Sequence, residues 1–231
     1  MAWLSNFIRR MSDQCADAHG LDHAELWGRI WAGAGEWDRE HANSDELWRE
    51  CDRDALRQAH ELYEAGDRAG AFQNWLDLAE QGSVWSMIEV GRCYEYGRGV
   101  PADPTMAENW YRRALAGGSQ IAMLKCAKFA AQRGDYTAAR EILQAGVDQD
   151  WVPAIFWFAW YCHKQSATGE TYRAILPMLK DAARRGHPAA RVILANFMVR
   201  GKFGRWRIPI GIRLVIRLGS LENAIFSAEK A

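Results

Sequence analysis

Hydrophobic positions recur at helical spacing along most of the chain, and one pattern returns at intervals of 36, 32 and 36 residues. Its clearest marker is a turn position, occupied in successive copies by Gly82, Gly118, Asp150 and Gly186. Glycine adopts the left-handed conformation that ends a helix without strain, and aspartate tolerates that conformation. Each marker therefore predicts a turn between two helices.

A small residue follows each predicted turn by four positions, and these residues are Ser86, Ala122, Ala154 and Ala190. A large side chain at the close approach of two antiparallel helices would overpack, at a cost of about 1–3 kcal/mol. One hairpin cannot bury its own apolar faces, whereas stacked hairpins can. The pattern predicts an all-α fold, a right-handed α-solenoid of about four helix-turn-helix repeats over residues 67–204.

The two ends of the chain do not match the repeat. Residues 1–66 are acidic and Trp-rich, and we expect them to form a helical cap with a Gly- and Asp-rich break at 31–44. Residues 205–231 are basic and apolar. Apolar residues alternate over 208–218, which is a strand pattern, but a lone strand in a helical array has no partner for its backbone. We therefore predict a C-terminal amphipathic helix.

Two stretches carry a family resemblance. The stretch AENWYRRALAGGSQIAM and the loop of Tyr94, Gly97, Gly99, Val100 and Pro101 resemble Sel1-like repeats, a tetratricopeptide-like family. The resemblance covers about residues 67–204 and is strongest in the first two copies. The third copy lacks the turn glycine, and the connectors after copies two, three and four lack the Gly-Val-Pro signature. The resemblance implies a scaffold for protein–protein interaction.

Composition adds little about function, because the 29 basic and 29 acidic residues leave no net charge. Their distribution is more informative. Residues 1–66 hold 14 acidic and 7 basic side chains, whereas residues 182–221 hold nine basic side chains and no acidic one. A basic segment of this kind attracts phosphates or anionic headgroups, or docks on an acidic part of the same chain.

The sequence contains no nucleophile–base motif. Cys15, His19 and His23 have the spacing of one helix face, but they offer only three metal ligands, and the helix is expected to break after Gly20. We therefore predict a protein that is not an enzyme and uses no cofactor, metal or small-molecule substrate. We expect a non-enzymatic adaptor that binds a protein or peptide partner on its helical-repeat surface, with Trp or Tyr anchors. The candidate partner-binding residues are polar positions of the first helices, namely Gln73, Asp77, Asn109, Arg112, Arg113 and Arg140.

The basic C-terminal run suggests an alternative function. Arginine beside tryptophan on an amphipathic helix is typical of a segment that lies on an anionic membrane surface. The candidate residues for this surface are Arg200, Lys202, Arg205, Trp206, Arg207, Arg213 and Arg217. The competing interpretation is an edge of the solenoid whose apolar side chains pack on the fourth copy. We do not expect nucleic acid as the partner, because no recognition module accompanies the charge.

Five cysteines, an odd number without a CxxC pair, predict reduced core thiols rather than a disulfide scaffold. The first residues lack the charge and apolar pattern of a secretory signal. The longest uncharged apolar run has twelve residues, Trp151–Cys162, whereas a membrane span needs about 20. These features predict a cytoplasmic protein, peripheral at the inner membrane face if the basic segment binds lipid.

Overall fold

The computed structural model describes residues 23–42 and 52–214, and these residues form helices without any β-strand. The α-helices are α1 (His23–Glu40), α2 (Arg53–Glu64), α3 (Arg68–Glu80), α4 (Val84–Tyr96), α5 (Pro104–Ala116), α6 (Gln120–Gln132), α7 (Tyr136–Asp148), α8 (Val152–Gln165), α9 (Gly169–Arg184) and α10 (Pro188–Val199). A 3₁₀ turn at Arg205–Arg207 and a helical stretch at 208–214 follow. The predicted all-α class is confirmed.

The four predicted turns have a common geometry. Gly82, Gly118, Asp150 and Gly186 have φ values of 101°, 90°, 56° and 102°. After each of them, the next backbone N–H donates to a carbonyl five residues earlier, as from Ser83 to Leu78 (3.0 Å) and from Trp151 to Gly146 (2.9 Å). This is the bond that closes a Schellman motif. Asp150 therefore takes the glycine conformation, as predicted.

The small residue four positions after each turn is fully buried in all four copies, with 0% exposure at Ser86, Ala122, Ala154 and Ala190. The third turn shows how close the helices come. A Cβ built on Gly146 of α7 would lie 2.6 Å from the Cβ of Ala154 on α8. A side chain at either position would separate the two helices, which confirms the steric reason for the small residues.

Helix starts are fixed by side-chain caps. Ser83 and Ser119 each accept a hydrogen bond from the backbone N–H three residues later, at 3.1 and 3.0 Å. Asp67 and Asp135 cap α3 and α7 in the same way, each at 2.9 Å. Each such cap contributes about 1 kcal/mol to its helix. Gly134 (φ 81°) ends α6 just before Asp135, so the hairpin pattern continues where the Gly-Val-Pro signature is missing.

The described residues divide into two compact units. The first comprises residues 39–42 and 52–154, and its core packs α2 to α6 around Trp75, Ile88, Tyr111 and Phe129. Leu56 and Ala59 of α2 belong to this core. Helix α2 therefore lies directly on α3, as one more layer before the first predicted repeat.

The second unit comprises residues 23–38 and 155–214 and contains a buried polar cluster. Asp38 of α1 is 3% exposed and accepts hydrogen bonds from Trp157 Nε1 (2.7 Å) and His187 Nε2 (3.1 Å). His187 Nδ1 accepts the backbone N–H of Ala190 (3.1 Å), so its Nε2 carries the proton that Asp38 accepts. The imidazole also stacks on Phe156 with ring centroids 4.0 Å apart. Three segments of the chain meet at this carboxylate.

The expected break at 31–44 is wrong, because α1 continues to Glu40 through Gly33 and Gly35. A glycine inside a helix costs only about 1 kcal/mol relative to alanine. Aromatic packing offsets that cost: Trp31 stacks on Trp157 at 5.7 Å, and Trp37 contacts His187 edge-on at 5.0 Å. Tertiary contacts thus override the local helix-breaking signal.

Candidate functional site

A cleft of about 520 Å³ lies between α2 and α4 in the unit formed by residues 39–42 and 52–154. Helix α2 lines it with one face, which includes Leu56, His60 and Tyr63 at spacings of four and three. Helix α4 contributes Trp85 and Arg92, again along one face. Pockets of this volume hold small molecules or a few side chains of a peptide.

The floor of this cleft is apolar. Trp75 of α3 is 3% exposed and contacts the Tyr63 ring with centroids 5.6 Å apart. Cys93 is 2% exposed, and burial, reinforced by Glu89, raises the pKa of its thiol to about 11. The thiol is therefore protonated near neutral pH and lacks the thiolate needed for nucleophilic chemistry.

The rim of the cleft is rich in guanidinium groups. Arg92 Nη1 binds Glu89 Oε1 at 3.0 Å. Burial disfavours the charge of Arg92, but Glu89 and nearby tyrosines outweigh this effect and raise its pKa. Arg57 is more exposed and binds Asp54 on its own helix, also at 3.0 Å. Arg98 is half-buried, its guanidinium lies 5.0 Å from the centroid of the Tyr96 ring, and it has no carboxylate partner among the described residues.

The loop after α4 places Arg98 in the cleft. Gly97 ends α4 in the left-handed conformation, with φ 67°. A Cβ on Gly99 would lie 2.1 Å from the carbonyl oxygen of Arg68, so the loop backbone packs against the first turn of α3. Val100 packs on the core of the same unit. The loop from Gly97 to Pro101, which resembles the Sel1-like pattern, thus also positions Arg98 in the cleft.

Glu95 joins three successive helices. It lies on α4, two residues after Cys93, the last α4 residue that lines the cleft. Its Oε2 accepts hydrogen bonds from Tyr111 (2.7 Å) and Lys125 (2.7 Å), and its Oε1 accepts one from Lys128 (2.8 Å). The side chain is 10% exposed. Burial opposes its ionisation, but Lys125, Lys128 and Tyr111 together lower its pKa to about 2. The charged carboxylate therefore holds α4, α5 and α6 in register.

A second surface lies at the C-terminal end of the other unit. Among the described residues, four large apolar side chains are exposed, and two of them are Trp206 (68%) and Ile210 (43%). The exposed cations Arg200, Lys202, Arg205 and Arg213 lie around them in sequence. No ion pair joins these four cations to a carboxylate in residues 28–42 or 52–214.

Other members of this basic set contact aromatic rings. Arg207 lies 4.3 Å from the Trp206 ring, and Lys202 Nζ lies 5.4 Å from the Tyr172 ring. Arg217 lies outside the described residues. Within residues 28–42 and 52–214, no group of three His, Cys, Asp or Glu side chains is arranged to hold a metal ion.

The described part of this segment is helical, as predicted, and packs on the preceding helix. A Cβ on Gly211 would lie 2.6 Å from the backbone nitrogen of Val199. Phe203 is buried against Phe197 and Tyr172, with centroids 5.9 Å from each. One side of the segment therefore packs on the fourth copy, while Trp206 faces solvent. No helix among the described residues is long and apolar enough to span a bilayer.

Comparison with known proteins identifies the repeat. A family model described as Sel1 repeat matches residues 86–119. A crystal structure of a Sel1 repeat protein from Oxalobacter formigenes aligns with a TM-score of 0.56 and 19% identity, covering 71% of this chain and 72% of that one. The chain therefore contains a Sel1 repeat and is similar to Sel1-like repeat proteins. The similarity shows that its fold is the all-α solenoid of that family.

Two further comparisons complete this result. A protective antigen of uropathogenic Escherichia coli with an SLR fold aligns at 17% identity and a TM-score of 0.43. That alignment covers 89% of this chain and 52% of the antigen. A search of curated proteins found no match.

The matched Sel1 repeat contains one third of the residues that line the cleft. Glu89, Arg92, Cys93 and Arg98 fall inside residues 86–119, and so does Glu95. All lining residues from α2 and α3 fall outside the match. The cleft therefore combines a Sel1 repeat with a helix that the repeat pattern does not predict, which explains why it was missed in the sequence. The available signal in the sequence is the aromatic pair Trp75 and Trp85, although an aromatic residue at helical spacing usually belongs to the core.

None of the six predicted partner-binding residues lines the cleft. Gln73 Nε2 donates to Asp77 Oδ1 at 2.8 Å on α3. Asn109 is exposed on α5 without a described contact. On α5, Arg112 binds Glu108 (2.8 Å) and Arg113 lies 4.0 Å from the Trp110 ring. Arg140 Nε donates to the Tyr136 carbonyl on α7 at 3.4 Å. Apart from half-buried Arg140, these side chains are exposed on the first helices of three successive hairpins.

Proposed function

We propose that this protein is a non-enzymatic adaptor that binds a segment of a partner protein in the cleft between α2 and α4. The observation that carries the proposal is a cavity of about 520 Å³ with an aromatic floor and a rim of arginines. Tryptophan and arginine dominate the energetic centres of protein interfaces. Two packed helices hold the lining residues, so binding loses little conformational entropy in the cleft.

Trp85 and Trp75 are the proposed anchors. Trp75 is fixed in the core and presents its surface at the base of the cleft, whereas Trp85 is half-buried on the wall. An apolar side chain of the partner that fills the cleft removes the exposed part of the Trp85 indole from water, at about 25 cal/mol per Å² of apolar surface buried, and packs on Trp75. We propose Gln73, Asp77, Asn109, Arg112, Arg113 and Arg140 as a second, outer contact region for a longer partner.

Selection from a library of short random peptides displayed on phage, with the full chain as target, tests the main proposal. We expect enriched peptides to bind the wild-type protein in fluorescence polarisation and to bind the Trp85→Ala variant at least about tenfold more weakly. Trp206→Ala is the matched control, because it removes an exposed indole in the other unit. Thermal unfolding of both variants confirms folding. Failure to enrich any peptide, or equal binding by Trp85→Ala, contradicts the proposal.

As a second function we propose docking to anionic lipid through Arg200, Lys202, Arg205, Trp206, Arg207, Arg213 and Arg217. The supporting observation is the exposure of Trp206 and Ile210 beside cations that lack carboxylate partners in the described residues. Indole prefers the headgroup level of a bilayer, and each cation near an anionic surface contributes about 1 kcal/mol. Such docking would keep the protein peripheral at the inner face of the membrane.

Co-sedimentation of the full chain with vesicles tests this second function. We expect binding to vesicles that contain phosphatidylserine, no binding to pure phosphatidylcholine, and release by salt. Trp206→Ala and Arg205→Gln should each weaken binding, whereas Tyr96→Ala, which removes an exposed aromatic from the other unit, should leave it unchanged. Binding that is insensitive to Trp206→Ala and Arg205→Gln would refute the assignment of this surface.

A further inference from the structure

We propose that the cleft between α2 and α4 selects acidic segments, in which an Asp or Glu side chain adjoins an apolar one. The inference rests on the proposed function of the cleft and adds the chemistry of the partner. Three observations support it. Arginines outnumber acidic residues in the lining, Arg98 has no carboxylate partner in the described residues, and only one nitrogen of the Arg92 guanidinium is bound to a carboxylate.

The lining of the cleft carries more positive than negative groups. It contains four arginines against Glu64 and Glu89 as the acidic residues, and one of the four, Arg57, is paired with Asp54 outside the lining. Interfaces bring opposite potentials together, because a like charge in a partly desolvated site opposes binding by several kcal/mol. The charge of the lining therefore favours an acidic partner and opposes a basic one.

Arg98 provides the most specific argument. It is half-buried, and its backbone is fixed because its N–H donates to the Cys93 carbonyl at 2.9 Å. In the described residues its guanidinium faces only the Tyr96 ring and no carboxylate. A partly desolvated charge is unfavourable until an anion pairs with it. A carboxylate can supply two parallel hydrogen bonds to this planar fork, a geometry that fixes position as well as charge.

Arg92 can complete the carboxylate site. Glu89 occupies Nη1 of Arg92 at 3.0 Å and no other nitrogen of that guanidinium. Arg92 lines the same cleft as Arg98. The two guanidinium groups belong to one short stretch, the end of α4 and its loop, so their spacing is set by the local fold.

The apolar part of the specificity follows from the floor. Trp75, Trp85 and Leu56 form a continuous apolar lining below the arginines. A segment whose side chains were all acidic would leave this floor covered only by water. The structure therefore favours an apolar side chain in the cleft and a carboxylate beside it.

The experiment extends the phage selection described above. Peptides enriched on the full-length protein should carry net negative charge and an apolar residue next to Asp or Glu. Replacing that Asp or Glu by Asn or Gln should weaken binding about tenfold, the size expected for a lost charge-assisted hydrogen bond. Raising NaCl from ~0.05 to ~0.5 M should also weaken binding, because salt screens partly exposed charges.

Variants of the protein test which arginines recognise the acidic side chain of the peptide. Arg98→Gln and Arg92→Gln should abolish the preference for the acidic over the amide peptide, and Arg98→Lys should restore part of it for Arg98. Arg191→Gln is the matched control, since Arg191 is exposed on α10 in the other unit. Peptides that enrich, require Trp85, and show no acidic preference would overturn this inference while leaving the adaptor function intact. Failure to enrich any peptide would overturn both.

Discussion

The Glu95 carboxylate should contribute a pH-dependent share of stability to the unit that contains the cleft. Glu95→Gln preserves the shape of the side chain and removes its charge from Tyr111, Lys125 and Lys128. A pKa that falls from 4.5 to about 2 on folding corresponds to about 3 kcal/mol. Lys128 is 45% exposed, and solvent screens part of this interaction, so we expect a loss of ~2 kcal/mol at pH 7.

The sign of the pH dependence follows from linkage. Glu95 is protonated in the unfolded chain below its ordinary pKa of 4.5, whereas in the folded protein it stays ionised down to about pH 2. Its stabilising contribution is therefore fully present above the unfolded pKa and is lost as pH falls from there through the folded pKa. The difference in unfolding free energy between wild type and Glu95→Gln should shrink over the same range.

Urea unfolding, followed by circular dichroism between pH 7 and pH 3, measures this difference. In thermal unfolding at pH 7, the same loss should appear as a decrease in melting temperature of about 4–8 °C, given the size of the chain. Glu61→Gln is the control, because Glu61 is 69% exposed in a surface pair with Arg57, and its effect should stay within about 0.5 kcal/mol. A Glu95→Gln loss that is equally small, or that does not change with pH, would refute the reasoning.

Four further substitutions, at three positions, test the local geometry by thermal or urea unfolding. Asp150→Gly should stabilise the protein by up to about 1 kcal/mol, because φ is 56° there, and a loss of stability would contradict the steric argument. Gly99→Ala should destabilise by more than about 2 kcal/mol, because the new Cβ meets the Arg68 carbonyl, and a neutral result would show that the loop can move away. His187→Ala should destabilise by about 2–4 kcal/mol through loss of the Asp38 contact and the helix cap. His187→Ser should recover about 1 kcal/mol of that loss by restoring the cap alone, and no recovery would contradict this division of roles.

The hairpins could be predicted from sequence because their determinants are local. A left-handed residue ends one helix, and a small residue four positions later permits close approach of the next, so Gly82 and Ser86 suffice to define a copy. The assignment of Asp150 to a glycine position followed from the same reasoning. Cys93 and Cys126 are buried in the core, as predicted, whereas Cys162 is half-buried, and Cys15 and Cys51 lie outside the described residues.

The cleft and the contacts by which Glu95 joins three helices could not be predicted, because they depend on residues that are distant in the sequence. Glu95 meets partners 16, 30 and 33 residues away, and nothing in the local sequence marks Lys125 or Lys128 as its partners. The helix break expected near Gly33 and Gly35 is absent because ring packing outweighs a propensity difference of about 1 kcal/mol per residue. The cleft requires α2, which lies outside the repeat pattern.

The Glu95 contacts also limit how this protein can be divided for study. A fragment that ends before α6 keeps the carboxylate of α4 but loses both ammonium groups that neutralise it. The Sel1 match ends at residue 119, just before α6. A fragment that ends there would keep the Glu95 carboxylate without the two lysines that neutralise it. The smallest cooperative folding unit around the cleft therefore extends at least to Lys128. The segment that must fold together is longer than the segment that matches the Sel1 repeat.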